Sequence, residues 1–384
     1  MSRVAFLDHS FHKKTGSSQF FIDLLRERYT VDVFHLPEDP RQLLEQVSDS
    51  GYQCYVLWQT EFCAPYFLLK GQKVLCVPMY DGVAGLPDMY WAMLQKSPFV
   101  CFSQELYRFL RGKNIEAYYF KPFVEKNVPI TTDFTTKRVF FWQRRPEFGY
   151  DWKLPSKLLK GKRIDNLHVH NAPDTLPCDY YAPPEVVSQS RFSVDPEAYV
   201  SALNSSNIFI CPRPCEGIGM ALQDAMARGM CIIANDASTN NEYLAHKLSG
   251  YILNFSTYMA DTQEEVLDLS EETMRMLGSN ARREYEKGLS VWKTEAPNIF
   301  VILSNLAPFP EKYVDHKLAK QYLKVCRFFY SDLYVFLKKS SRVCKHHKAL
   351  HSYDPNTIIL RVIRKLGLES FAVRLKRFIR SLSN

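Results

Sequence analysis

Residues 209–234 read FICPRPCEGIGMALQDAMARGMCIIA, and at their centre two acids, Glu216 and Asp224, stand eight positions apart with Gly217 and Gly219 beside the first. Glycines let a backbone approach a ligand closely. The pattern suits a phosphorylated ligand held at the turn. The same residues also suit an ordinary helix start, with Glu216 complementing the helix N-terminus and Asp224 on a solvated face.

The elements that must position these residues follow from local pattern. NIFIC (207–211) reads as a strand and PRPCEG as a turn marked by two prolines. IGMALQDAMAR reads as a helix, with Gly229 as its stop before the next strand, CIIA. Ligands of open parallel sheets bind where strands end and helices begin, because backbone N–H groups and the helix dipole favour anions there. If 216–224 were continuously helical, the two acids would lie about 12 Å apart along the axis and roughly 80° apart in direction.

The rest of the chain repeats this alternation. VAFLDH, VDVFHL, YQCYVLW, KVLCVPMY and FVCFSQ are short apolar runs, several of them separated by amphipathic stretches such as SSQFFIDLLRERY. RVFFW, DNLHVH, NIFIC, CIIA and YILNF form a second series. Such runs joined by helical segments predict parallel sheets in an α/β fold. The polar stretch EKNVPITTDFTTK separates the two series and reads as a linker. The expected division is a Rossmann-like domain over 1–126, a linker over 127–137, a second Rossmann-like domain over 138–310, and a helical extension over 311–384.

Composition limits the functional classes. At 384 residues, 46% of them apolar and 14% aromatic, the chain is long enough for two packed domains. The conspicuous uncharged stretch APNIFVILSNLAPFP is too short and proline-broken to span a bilayer. MSRVAFLDHSF has too few apolar residues before Asp8 for a signal peptide. The expected location is therefore the cytoplasm. The ten cysteines fit it: none form CxxC, and Cys54, Cys76, Cys101, Cys211 and Cys231 sit in strand-like apolar runs as small buried hydrophobes. From Lys312 to Asn384 there are 17 Lys and Arg against four acids, whereas the preceding residues carry 32 basic and 37 acidic side chains. A mildly acidic body thus bears a basic extension that should meet any anionic surface. No nucleic-acid reading motif accompanies it, and no metal-ligand spacing stands out.

EGIGMALQDAMARGMCIIANDASTNNEYL resembles the donor-site signature of retaining GT-B glycosyltransferases of the family 4 type. In that signature a Glu, a glycine turn and a second acid eight residues later precede a strand and a further acidic loop. SEETMRMLGSNARREYEKGLSVWKTEAPNIFVIL is similar to the family's closing helices, with Trp292 before the helix that returns to the first domain. FVCFSQELYRFLRGKNIEAYYFKPFV is similar to its last strand and helix before the hinge. The resemblance covers about residues 3–307 and implies a GT-B fold, two Rossmann-like domains facing a cleft; it does not account for the basic helical C-terminal tail that follows.

The resemblance also implies roles. Glu216 would contact hydroxyls of the donor sugar and Asp224, where the family usually has Glu, the ribose. The amides near Gly217, Ile218 and Gly219 would face diphosphate or sugar. A leaving nucleoside diphosphate needs fixed positive charge, and Arg144, Arg145 and Lys153 in RVFFWQRRPEFGYDWK are the candidates, with Arg213 as a further one. Arg145 joins Glu216 and Asp81 as a catalytic candidate. Glu242 matches the acid of the loop that begins at Asn235, Asp236 and Ser238, although Asn240 and Asn241 equally suit a helix N-cap there. Gly16 stands in the loop before the first helix, where phosphate and acceptor need room. Asp81, after Tyr80, stands where many relatives carry a His-Asp pair; it would orient the acceptor hydroxyl or simply make a turn. His9 and His12 are alternatives near the end of the first strand, while His168 and His170 alternate with apolar neighbours and read as structural.

The expected function is transfer of a sugar from a nucleotide-sugar donor to a glycan or lipid-linked glycan, with retention, in lipopolysaccharide, capsule or related surface-glycan assembly. Neither cofactor nor metal is expected. The alternative is a non-catalytic nucleotide- or carbohydrate-binding protein of the same fold. In the extension, Phe371, Leu375, Phe378, Ile379 and Leu382 form one helical stripe opposite Lys376, Arg377 and Arg380. That pattern suits an interfacial helix on anionic lipid, and equally a helix packed on the protein or on a partner.

Overall fold

The structure, a computed structural model, describes residues 2–84, 86, 88–144, 149–171, 188–191, 196–262 and 265–330. The chain divides into two compact units: Met1–Phe102, Leu106–Phe120 and Glu295–Asn384 make the first, and Ser103–Glu105 with Lys121–Thr294 make the second.

The first unit is built on a parallel six-stranded sheet: β1 (Arg3–His9), β2 (Thr30–Leu36), β3 (Cys54–Trp58), β4 (Val74–Val77), β5 (Phe99–Cys101) and β6 (Ala117–Tyr119). Their order is β2-β1-β3-β4-β5-β6. Val4, Ala5, Phe6 and Leu7 are wholly buried, as a strand covered on both faces requires. Helices α1 (His12–Thr15), α2 (Gln19–Arg26), α3 (Arg41–Ser48), α4 (Ala64–Leu69), α5 (Tyr80–Val83), α6 (Asp88–Met93) and α7 (Gln104–Gly112) connect these strands. The apolar face of α2 buries Phe21, Ile22, Leu24 and Leu25, each contributing about 1.5–3 kcal/mol of burial.

The second unit carries the other sheet: β7 (Arg138–Gln143), β8 (Asn166–Asn171), β9 (Ser188–Arg191), β10 (Ile208–Cys211), β11 (Cys231–Asn235) and β12 (Tyr251–Leu253), ordered β12-β11-β10-β7-β8-β9. Its helices are α8 (Lys153–Leu158), α9 (Pro196–Asn204), α10 (Met220–Arg228), α11 (Asn240–Tyr243), α12 (Phe255–Met259) and the 25-residue α13 (Glu271–Glu295). Helix α10 ends where expected, with Gly229 in the left-handed conformation at φ 66°. Gly278 of α13 packs on that turn so closely that an added Cβ would stand 2.1 Å from the Gly229 carbonyl oxygen.

Helices α14 (Asn298–Asn305) and α15 (His316–Tyr330) return to the first unit. Arg28 stacks its guanidinium 4.7 Å from the Phe300 ring centre. Leu318, Tyr322, Leu323, Cys326 and Phe329 of α15 join the core cluster that contains Leu44, Phe67 and Cys101. The segment from 316 to 330 is therefore structural rather than appended. The amphipathic stripe at 371–382 lies outside the described residues. Among the described residues no helix is long and apolar enough to cross a membrane.

Candidate functional site

Both sheets reverse direction of winding at a definite place. In the second unit the chain starts at β7, adds β8 and β9 on one side, then crosses to place β10, β11 and β12 on the other. The switch point lies between β7 and β10, and ligands of such sheets bind at the carboxyl ends of the strands there. Residues that follow β7, β10 and β11 include the candidates Arg144, Arg213, Glu216 and Glu242.

The loop after β10 holds the central pair. Arg213 Nη1 donates to Glu216 Oε2 at 2.8 Å, and the two side chains are only 7% and 12% exposed. Gly217 and Ile218 continue the loop, and Gly219 takes φ 72° and ψ 38° immediately before α10. A β-carbon is disfavoured in that conformation, which explains the glycine. Helix α10 therefore begins at Met220. The helix read over IGMALQDAMAR thus starts two residues later than expected, and Glu216 lies in the loop, as the turn reading of PRPCEG has it; the left-handed turn at Gly219 separates it from Asp224, so the spacing of a continuous helix over 216–224 does not apply.

Asp224 sits within α10, where Lys126 Nζ lies 3.1 Å from Oδ1 and Arg228 Nη1 3.9 Å from it. The Tyr199 hydroxyl donates to Oδ2 at 3.4 Å. Burial, reinforced by the Asp224 charge, pushes the Tyr199 hydroxyl well above its usual range, so it stays a donor. Beside Asp224, the fully buried Gln223 donates to the carbonyls of Pro122 and Ile218 and accepts from the Val124 amide at 2.9 Å.

The turn after β11 folds onto the Glu216 loop. Thr239 Oγ1 donates to the Glu216 carbonyl at 2.8 Å, and Asn240 Nδ2 to the carbonyls of Arg213 and Asn235 at 3.2 and 3.3 Å. Asn240 is thus a bridge between loops, and Asn241 reaches back to Asp236 at 3.2 Å. No side chain caps α11, so the N-cap reading of these asparagines is not what they do. Glu242 turns its carboxylate to the Gln104 amide at 2.9 Å and to the Ser103 hydroxyl at 3.2 Å, both in the second unit.

Of the remaining cations, Arg144 follows β7 directly and stacks 5.9 Å from the Trp142 ring. Lys153 opens α8 with Nζ 5.6 Å from the Trp152 ring. Arg145 lies outside the described residues. His168 and His170 point to one face of β8. Ser188 and Ser190 hydroxyls lie 2.8 and 2.7 Å from the two Nδ1 atoms, and both rings stack on Phe140. Burial, helped by His168 and Arg144, pushes His170 down to about 4. All five strand cysteines are buried and free; burial pushes Cys211 up to about 12, which keeps it protonated.

In the first unit the switch point lies between β1 and β3. Asp8, wholly buried at the end of β1, accepts from the Ser18 hydroxyl at 2.6 Å and the His9 amide at 2.7 Å. His12 Nδ1 lies 2.5 Å from Asp8 Oδ1. Gly16, at φ 60°, closes α1 between His12 and Ser18. The Tyr330 hydroxyl, at the end of α15, donates to the Leu36 carbonyl at 2.8 Å and lies 2.8 Å from the Ser10 hydroxyl. Asp81 stands in the first turn of α5, at the end of β4, rather than in an open turn.

Sequence reasoning therefore found Glu216, Arg213 and the two glycines in one loop. It missed Asp8, Gln223 and Thr239, which hold the candidates in place, and read Asn240 as a helix cap rather than a bridge between loops. Asp8 carried a usable signal, an acid closing an otherwise apolar strand run. Gln223 and Thr239 carried none, because their partners are distant in sequence.

Residues 190–284 match the family model described as glycosyl transferases group 1. No curated protein matches the chain. Among solved structures, a sucrose-phosphate synthase from Thermosynechococcus elongatus superposes with a TM-score of 0.58 at 12% identity, covering 79% of this chain and 98% of that one. HepE of Anabaena, solved in complex with UDP and glucose, gives 0.55 at 13% identity over 80% of this chain and 100% of its own. Its complex with UDP-glucose gives 0.54 at 14% identity over the same shares. The paired parallel sheets are those of the GT-B fold. The match to glycosyl transferases group 1 lies in the second unit and, on that fold, supports an enzyme that transfers glycosyl groups.

Proposed function

We propose that the protein moves a sugar from a nucleotide-sugar donor to a hydroxyl of a glycan or lipid-linked glycan, retaining the anomeric configuration, in surface-glycan assembly. The observation that carries this reading is the Arg213–Glu216 pair on the loop at the second unit's switch point. An acid there can take sugar hydroxyls and a neighbouring guanidinium can take phosphate oxygen.

In this reading Glu216 binds the donor sugar, and the amides from Gly217 to Gly219 approach the diphosphate. Arg213 and Arg144, with Arg145 and Lys153, offset the charge that grows on the leaving group. Asp224 serves the ribose, sharing its carboxylate with Lys126. Glu242 sets the loop beside the donor through its bonds to Ser103 and Gln104. In the first unit Asp81 and the Gly16 loop serve the acceptor. With retention the leaving phosphate oxygen takes the acceptor proton, so no separate base is required. The basic segment after Lys312 brings the enzyme to an anionic membrane surface from the cytoplasmic side.

The HepE complexes make UDP-sugars the first donors to test. A panel of UDP-, GDP- and ADP-sugars should contain one that raises the melting temperature of the wild type, because a ligand of the native state stabilises it. Glu216→Ala should abolish that shift. Incubation with acceptor glycans should release nucleoside diphosphate and give a product whose anomeric proton coupling matches the donor's. A panel without any stabilising nucleotide-sugar would end this reading. One observation favours the non-catalytic reading: Lys126, Arg228 and Tyr199 already engage Asp224. Stabilisation without release of nucleoside diphosphate in the presence of acceptors would establish it.

A further inference from the structure

Thr239 is wholly buried and holds φ 79° and ψ −49°. This lies near the γ-turn conformation that is rare and strained, above all for a β-branched residue. Strain of this kind persists only where the surroundings over-determine it, and it gathers at functional sites. The conformation brings Oγ1 to the Glu216 carbonyl at 2.8 Å, and the next residue, Asn240, grips the Arg213 carbonyl at 3.2 Å. Two consecutive side chains of one turn thus fix the start and the end of the four-residue loop segment that carries the Arg213–Glu216 pair.

We infer that Thr239 is a positioning residue: its strained turn sets where the Glu216 carboxylate meets the donor sugar. The inference rests on the donor reading of Glu216 and adds a consequence to it. The hydroxyl holds the loop that recognises the sugar, so its loss should weaken binding of a nucleotide-sugar and spare the nucleoside diphosphate alone. A merely structural role would weaken both or neither.

Three variants separate hydroxyl from strain. Thr239→Ser keeps the donor, Thr239→Val keeps the shape without the donor, and Thr239→Gly relaxes the backbone while losing the donor. Calorimetry would compare UDP-glucose with UDP, GDP-mannose with GDP and ADP-glucose with ADP. For the pair that the wild type discriminates, Thr239→Val and Thr239→Gly should lose about tenfold in the sugar-to-nucleotide affinity ratio, the worth of one hydrogen bond. Thr239→Ser should keep the ratio, and Thr239→Gly should melt no lower than the wild type, which separates loss of positioning from loss of folding. An unchanged ratio in Thr239→Gly overturns the inference while leaving the donor reading intact. A wild type that binds no sugar nucleotide overturns both.

Discussion

Arg213 and Glu216 form a salt bridge of 2.8 Å within a single four-residue stretch, with both side chains at least 88% withdrawn from solvent. A buried pair of this kind is worth little against well-packed apolar residues, yet breaking it by removing one partner leaves a charge without compensation. Arg213→Ala and Glu216→Ala should each lose roughly 3 kcal/mol of stability. The double variant should lose distinctly less than the sum, with a coupling of at least about 1 kcal/mol in a double-mutant cycle read by urea unfolding. Additive losses would show that the pair is not a unit.

Gly278 tests how α13 supports the site from behind. A Cβ there would meet the Gly229 carbonyl oxygen at 2.1 Å and the Phe134 ring at 3.2 Å. The nearer obstacle is backbone, so no side-chain rotation relieves it. Gly278→Ala should cost at least about 2 kcal/mol, as overpacking of a close contact does, and should lower the melting temperature by several degrees. Since Gly229 closes α10, the same variant should weaken nucleotide-sugar binding. A melting temperature within about 1 °C of the wild type would mean that α13 yields freely.

Period and punctuation were enough to foresee most of the fold. Apolar runs such as RVFFW and CIIA gave the strands because buried parallel strands carry little else, and Gly229 gave the end of α10 because only glycine is easy there. Strand β9, read from SQSR at a sheet edge, gave no apolar signal: it is mostly exposed. The geometry of the candidate site was legible where residue type and spacing coincide, as in the loop that holds Glu216 and Gly219. It was illegible where a long-range contact decides the role. Glu242 read as the acid of a loop beside the donor and Asn240 as a helix cap, and only the fold shows that the first reaches Gln104 and the second Arg213.

His170 makes stability depend on acidity in a defined window. Burial lowers its pKa to about 4 from an ordinary 6.5, so the unfolded chain takes up the proton first. The stabilisation is complete above pH 6.5 and is lost as pH falls from there toward 4, at up to about 1.4 kcal/mol per pH unit. His168, also lowered by burial, adds in the same direction. Between pH 6.5 and 5 the wild type should lose roughly 2 kcal/mol that His170→Phe retains, measured by urea unfolding. Parallel losses in the two proteins would place the acid sensitivity elsewhere.

Asp8 and His12 meet at the carboxyl end of β1 in the first unit. A carboxylate oxygen accepts, so the contact at Asp8 Oδ1 places a His12 proton on Nδ1. In Asp8→Asn the His9 backbone amide, which can only donate, keeps the amide oxygen at the Oδ1 position, and the amide nitrogen faces the Ser18 hydroxyl, which can accept. The His12 contact then keeps its geometry but loses the carboxylate charge, and the ring nitrogen shifts in an NMR spectrum should keep their pattern. Where His12 helps to seat the acceptor hydroxyl, Asp8→Asn lowers kcat or raises the acceptor KM by about tenfold or more, while the affinity for the nucleotide-sugar stays at the wild-type value. Ser18→Ala removes one of the three Asp8 donors without altering the His12 tautomer, so it should leave turnover largely intact and cost about 1 kcal/mol of stability. Equal loss of turnover in both variants would mean that the cluster serves folding alone.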